Sequence, residues 1–171
     1  MKRRSILTPL WWMLGATALL TAAVVAYALF KLQQVGDRFK SFVDTDQARY
    51  VSLQEMYAQG LQSGQALRNI VLDPGNEQGY KNLDNAHKKF ADALAASRQV
   101  AAGDPAMEKF VGEVGERWPA LVSLRGRLAE LAHTDTNGTI AQLNHDETPA
   151  WRALRKLLLD EVERQGKVVD G

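Results

Sequence analysis

Residues 49–74 read RYVSLQEMYAQGLQSGQALRNIVLDP. Within them Leu53, Met56, Gly60, Ser63, Leu67 and Ile70 recur at alternating steps of three and four. That spacing holds one stripe on one side of an α-helix, as in a helix packed at a shallow angle in a bundle. The stripe extends backwards through Arg49, Asp46, Phe42, Phe39, Val35 and Leu32. It stops at Leu72-Asp73-Pro74-Gly75-Asn76, where turn residues cluster and Pro74 biases Asp73 out of helical backbone. Residues 31–72 therefore read as a first helix, roughly 63 Å long.

Three further helices follow. One, from about Glu77 to Val100, carries Tyr80, Leu83, His87, Phe90 and Leu94 and ends near Ala102-Gly103. Asp104-Pro105 reads as an N-cap with a proline in the first turn. The next helix carries Met107, Phe110, Val114, Trp118, Leu121, Leu124, Leu128 and Leu131, with Pro119 inside it as a source of local bending. Residues 134–144 are polar around Asn137-Gly138 and read as a turn with one or two helical turns. Thr148-Pro149 reads as another N-cap and first-turn proline. The last helix then carries Trp151, Leu154, Leu158, Val162 and Val169. No segment sustains a period of two, so strands are not expected. The fold class is all-α, with an up-down-up-down four-helix bundle.

Leu10 to Phe30 contains no charge and rises roughly 31 Å as a helix, the span of a bilayer core. Trp11, Trp12 and Tyr27 sit near its ends, where amphipathic rings favour the interface. Lys2, Arg3 and Arg4 precede it, which by the positive-inside rule puts the N-terminus in the cytoplasm. A cleaved signal peptide is the rival, with Ala26-Tyr27-Ala28 as its cleavage site. The apolar run exceeds the ~7–15 residues of a signal core, which favours an uncleaved anchor. Residues 1–9 then form a basic cytoplasmic N-terminus, 10–30 a transmembrane helix, and 31–171 a periplasmic bundle of a bacterial inner-membrane protein. A return to the membrane as long as the first helix would end near residue ~190, so the fourth helix reads as truncated.

The formal net charge is +1, and the basic residues ahead of position 32 leave the remainder mildly acidic. Such a surface has no electrostatic footprint for nucleic acid. Absence of cysteine removes disulfides, thiolate metal sites and cysteine nucleophiles. His87, His133 and His145 do not have metal-box spacing, and His87 reads as a core residue with its nitrogens satisfied. No catalytic grouping stands out, so neither an enzyme nor a cofactor is expected.

Two stretches resemble a known family. Met56 to Pro74, ending Arg68-Asn69-Ile70-Val71-Leu72-Asp73-Pro74, resembles the distal end of the first bundle helix in bacterial methyl-accepting chemotaxis proteins. Leu143-Asn144-His145-Asp146-Glu147-Thr148-Pro149-Ala150-Trp151-Arg152-Ala153-Leu154-Arg155 is similar to the start of their fourth helix. The resemblance implies a homodimeric sensor whose periplasmic four-helix bundle binds a small ligand, such as an organic, amino or aromatic acid, near its membrane-distal end. Family members continue into a second span and a signalling hairpin, so this chain alone is not expected to reach a kinase.

Bundle topology would bring Arg68 and Asn69, closing the first helix, beside Trp151, Arg152 and Arg155, opening the fourth. Arg152 and Arg155 are three apart and share a face. Guanidinium forks pair with carboxylates and an indole offers a stacking surface. The alternative is that these arginines pair with Asp73, Asp146 or Glu147, and that Trp151 anchors the core. Asp46 and Arg49 on the first stripe read as edge charges in water, with a register-setting polar layer as the alternative. Gly60 and Gly64 permit close helix approach. A second functional reading is a free-standing membrane-anchored interaction protein that pairs with receptors or other envelope proteins.

Overall fold

The computed structural model describes residues 7–169, and the side chains of residues 10–167 apart from 38 and 41–44. No strand occurs among the described residues, and the chain is all-α. It divides into two units, one up to Val43 and one from Asp44 onward.

The first unit holds α1 (Leu7–Ser41). Within it Leu10–Asp37 is apolar and long enough to cross a membrane, with mean hydropathy 2.0 and none of its window buried. Leu32, Val35 and Phe39, expected as the start of the bundle seam, are exposed here. Core packing instead begins at Ser52 and Leu53.

A π-helical segment, Phe42–Gln47, precedes α2 (Ala48–Leu72). Then come α3 (Glu77–Gln99), α4 (Pro105–Leu131), α5 (Thr136–Gln142), a π-helical turn (Leu143–Glu147) and α6 (Thr148–Val169). Within the second unit α2, α3, α4 and α6 pack in cyclic order, as in an up-down-up-down bundle, and α2 and α4 also touch across the diagonal. The expected α2 stripe, Leu53, Met56, Gly60, Ser63, Leu67 and Ile70, is buried throughout.

The turns follow their local chemistry. The Asn76 side chain accepts from the Gly79 N–H and opens α3. Gly103 takes φ +83°, the left-handed turn that a glycine enters without a Cβ penalty. Asp104 then caps α4, accepting the Ala106 and Met107 N–H groups at 3.1 Å, with Pro105 in the first turn.

The start of the last helix differs from expectation. Thr148 is not an N-cap: its φ of −63° and ψ of −43° are helical. The cap is Asp135, whose side chain accepts the Gly138 N–H at 2.8 Å and opens α5. Helical backbone continues from there into α6 through the π turn, where the Thr148 N–H donates to the Leu143 carbonyl. Pro149 has no N–H for the carbonyl four residues back, and its ring crowds that group. A widened turn just ahead of it leaves the room that an unbroken α-helix lacks.

Asp46 and Arg49 are not edge charges in water. The Arg49 side chain is 12% exposed, lies 3.8 Å from Asp46 and 3.5 Å from Asp104, and donates from Nε to the Val100 carbonyl. Arg164 of α6 donates to Asp104 at 3.0 Å and to Glu161 at 2.7 Å. One carboxylate thus caps α4 while tying α2 and α6 to the α3–α4 turn. Burial pushes the Asp104 carboxyl up, but the Met107 N–H, Arg164 and Arg49 together hold it below its ordinary value.

His87 is half-buried, with its ring edge on Trp118 at 5.6 Å. Contrary to the sequence expectation, its Nε2 is buried without a hydrogen-bond partner. Burial, and then the nearby Arg125, lower its pKa from 6.5 to about 4, against the pull of Asp84. The unfolded chain therefore takes up this proton near pH 6.5 while the fold refuses it until about pH 4. Stability from a neutral His87 is complete above the first value and is lost as pH falls towards the second. Thermal melts of His87→Leu and the parent between pH 7.5 and 4 should show a smaller acid-side decline in the variant. Parallel curves would mean that His87 carries no such linkage.

Candidate functional site

The second unit has two hydrophobic cores rather than one. The first contains Leu53, Met56, Phe90, Val114, Trp118, Trp151, Leu154 and Leu158. The second contains Leu67, Ile70, Leu83, Leu128 and Leu143. Along α4 the step from Leu121 to Leu128 passes over Arg125, whose side chain is fully buried.

Arg125 makes a polar layer between the two cores. Its Nε donates to Glu147 Oε1 at 2.8 Å and its Nη2 to the same oxygen at 2.6 Å. Its Nη1 donates to the Ser63 hydroxyl and, at 3.4 Å, to the Gly60 carbonyl. The guanidinium carbon lies 5.9 Å from the Trp118 ring and 5.5 Å from the Trp151 ring, within cation–π range of both. Phe90 of α3 stacks on Trp118 at 3.6 Å, so every helix of the bundle reaches this layer. Burial lowers the Arg125 pKa, the charge and hydrogen bonds of Glu147 oppose that, and Arg68 adds repulsion.

Each partner arrives for a local reason. Ser63 and Gly60 lie on the α2 stripe, where small side chains leave space for the guanidinium and for an indole. The Trp151 ring packs directly on Gly60, where a Cβ would collide with it. Glu147 closes the π turn, and that turn aims a carboxylate into the interior at a position the apolar pattern does not announce.

Of the residues proposed from sequence, Arg68, Asn69, Arg152 and Arg155 are exposed. The Arg68 guanidinium crosses Gly64, with Nη1 3.3 Å and the Arg125 Nη2 3.2 Å from where a Cβ of residue 64 would lie. Arg68, Arg152 and Arg155 make no salt bridge or side-chain hydrogen bond among the described residues, so Asp73, Asp146 and Glu147 do not neutralise them. Trp151 is the exception. It is only 6% exposed and its ring is used against Gly60 and Arg125, so it serves as a core anchor rather than an open stacking surface. The Trp151–Gly60 contact sets the start of α6 at the middle of α2; from there Leu154 and Leu158 share the first core with Leu53 and Met56, whereas Leu67 and Ile70, beside Arg68 and Asn69, share the second with Leu143.

Sequence reasoning missed Arg125 and Glu147 as a pair. The signal lies in strict spacing: Met107, Val111, Val114, Trp118, Leu121, Arg125, Leu128 and Ala132 alternate by four and three, and all are buried. Leu124 and Leu131, expected on the stripe, are only partly buried. In α6 the same rule puts Glu161 and Gln165 inside and leaves Val162 half-buried, while the Val169 side chain lies outside the described residues.

Compared with protein families, curated proteins and solved structures, the chain matches none. No cluster of metal-ligating side chains occurs among the described residues.

Removing one member of a buried, hydrogen-bonded ion pair strands the other charge. Arg125→Met or Glu147→Leu alone should each destabilise the bundle by about 3–5 kcal/mol, whereas the double variant should recover most of that loss. Denaturant unfolding of the three variants checks this. Additive losses in the double variant would show that the pair is not coupled.

Proposed function

We propose that this chain is the ligand-sensing region of a chemotaxis transmembrane receptor, a signal-transduction protein that binds a small carboxylate at the membrane-distal end of its bundle. In this reading α1 spans the inner membrane with the N-terminus in the cytoplasm, and the bundle is periplasmic. The observation that carries it is a set of exposed guanidiniums without internal acid partners, Arg68 on α2 and Arg152 and Arg155 on α6, on helices that pack together. Forked donors left without an acid partner suit an anionic ligand. Asn69, exposed beside Arg68, adds an amide donor and acceptor. The resemblance of the Arg68–Pro74 and Leu143–Arg155 stretches to chemoreceptor sensor domains points to the same end of the bundle.

A thermal-shift screen of the full chain in lipid nanodiscs against organic, amino and aromatic acids tests the reading. Any acid found should bind about 1.5–3 kcal/mol more weakly to Arg68→Ala and to Arg152→Ala, the range for hydrogen bonds to charged groups. Unchanged affinity in both variants would remove this site.

The homodimer of this reading has a candidate surface. Val51, Gln54, Ala58, Leu61, Gln65, Arg68 and Leu72 are all exposed on α2 and follow the alternating three–four step of a second seam. The chain has no cysteine. Mild oxidation of Leu61→Cys should therefore give a covalent dimer much faster than the same treatment of Lys81→Cys on α3. Equal rates would favour the second reading, in which this seam pairs with a different envelope protein.

A further inference from the structure

Between α4 and α6, on a different helix pair from Arg68, lies a groove of about 310 Å³. Its floor is Leu121 and Leu154, both buried. It exists because Ala120 on α4 and Ala150 and Ala153 on α6 stand where longer side chains would bridge the two helices. Arg117 and Arg127 close its ends, ten residues apart on α4 and so roughly 15 Å along the helix axis. Its lining contains no acid.

Neither arginine is strongly engaged. Arg117 lies 3.9 Å from Glu113 with both side chains partly in water, a contact of little energy. Arg127 donates from Nη1 to the Ser123 hydroxyl at 3.0 Å, a neutral partner that leaves its charge unbalanced. An apolar trough with a positive charge at each end complements a molecule with an apolar body and an anionic group. Its volume sits at the small end of the ligand-pocket range of ~300–1,000 Å³, which limits the body to about one ring or a short chain.

We infer that the α4–α6 groove is a second ligand site, for a small aryl or alkyl carboxylate whose apolar body lies on Leu121 and Leu154 and whose carboxylate is held by Arg127. A guanidinium fork donates to both carboxylate oxygens, and the trough excludes water from the ligand's apolar face. The site does not depend on the assignment at Arg68 and Arg152. Its position has a consequence: Ala150 follows Glu147 by one turn and Leu124 adjoins Arg125, so an occupant clamps α4 to α6 beside the buried ion pair.

Isothermal titration of the full chain in nanodiscs with phenylacetate, and with phenylacetamide as its uncharged match, tests the inference. Phenylacetate should bind at least tenfold more tightly than the amide. Arg127→Gln should weaken it by about tenfold or more, the effect of losing a charged hydrogen bond. Ala153→Trp, which fills the trough from an exposed position, should abolish binding, and Ala120→Leu should do the same if the tryptophan variant fails to give a parent-like helical melt. Arg68→Ala should bind phenylacetate as the parent does. Absence of phenylacetate binding, equal binding of the amide, or binding that survives Ala153→Trp and Ala120→Leu would overturn the groove site. Binding that is lost in Arg68→Ala and kept in the groove variants would also overturn it, while supporting the distal site.

Discussion

A fully buried guanidinium organises the second unit. Arg125 has exchanged all its water for Glu147, Ser63, the Gly60 carbonyl and two indole rings. Such a pair returns little net stability, because desolvating both charges costs about what their attraction returns. Its weight falls on the alternatives. Any slip of α4 against α2 or α6 leaves a bare charge between two hydrophobic layers, a far larger penalty than a misplaced leucine carries. The layer therefore sets the register that the apolar seams leave loosely determined.

That constraint explains the shape of the last helix. A carboxylate must reach inward at position 147, and Pro149 must be accommodated two residues later. The π turn over Leu143–Glu147 satisfies both demands, and Trp151 is then delivered onto Gly60 one turn further on. Glycine at 60 and 64 thus has a specific purpose. The first admits an indole, and the second leaves room for two guanidiniums that approach each other despite like charge. At the opposite end Asp104 plays a comparable part, joining a helix cap to arginines from α2 and α6. The bundle is pinned by a polar group at each end of its larger core, and the exposed arginines of α2 and α6 take their positions from that frame.

Much of this was legible in residue order. The α2 stripe, the Asp73–Asn76 turn, the Asp104-Pro105 cap and the all-α class all follow from periodicity and turn chemistry, which act over a few residues. The failures share one cause. Choosing the apolar residue nearest each seam position selected Leu124 over Arg125 and Val162 over Glu161. Side-chain polarity was allowed to override the alternating step of three and four. The geometry of packing does the reverse: a position facing three other helices is interior whatever occupies it, and a charge there must find a partner. Asp46 and Arg49 were placed in water because the partners of Arg49, Val100 and Asp104, lie more than fifty residues away. Thr148-Pro149 misled for a different reason, since proline marks a helix start only where the preceding helix has no widened turn to absorb it.

Local order by itself determined the helices, most of their ends, an apolar helix long enough for a bilayer, and which residues of α2 face inward, because hydrogen-bonded helices and their faces depend on neighbours three or four residues apart. Which charges become partners, which tryptophan is consumed by packing, and where a groove opens between α4 and α6 were decided only when the helices met. Those outcomes depend on distances between residues far apart in sequence, which no pattern of near neighbours fixes.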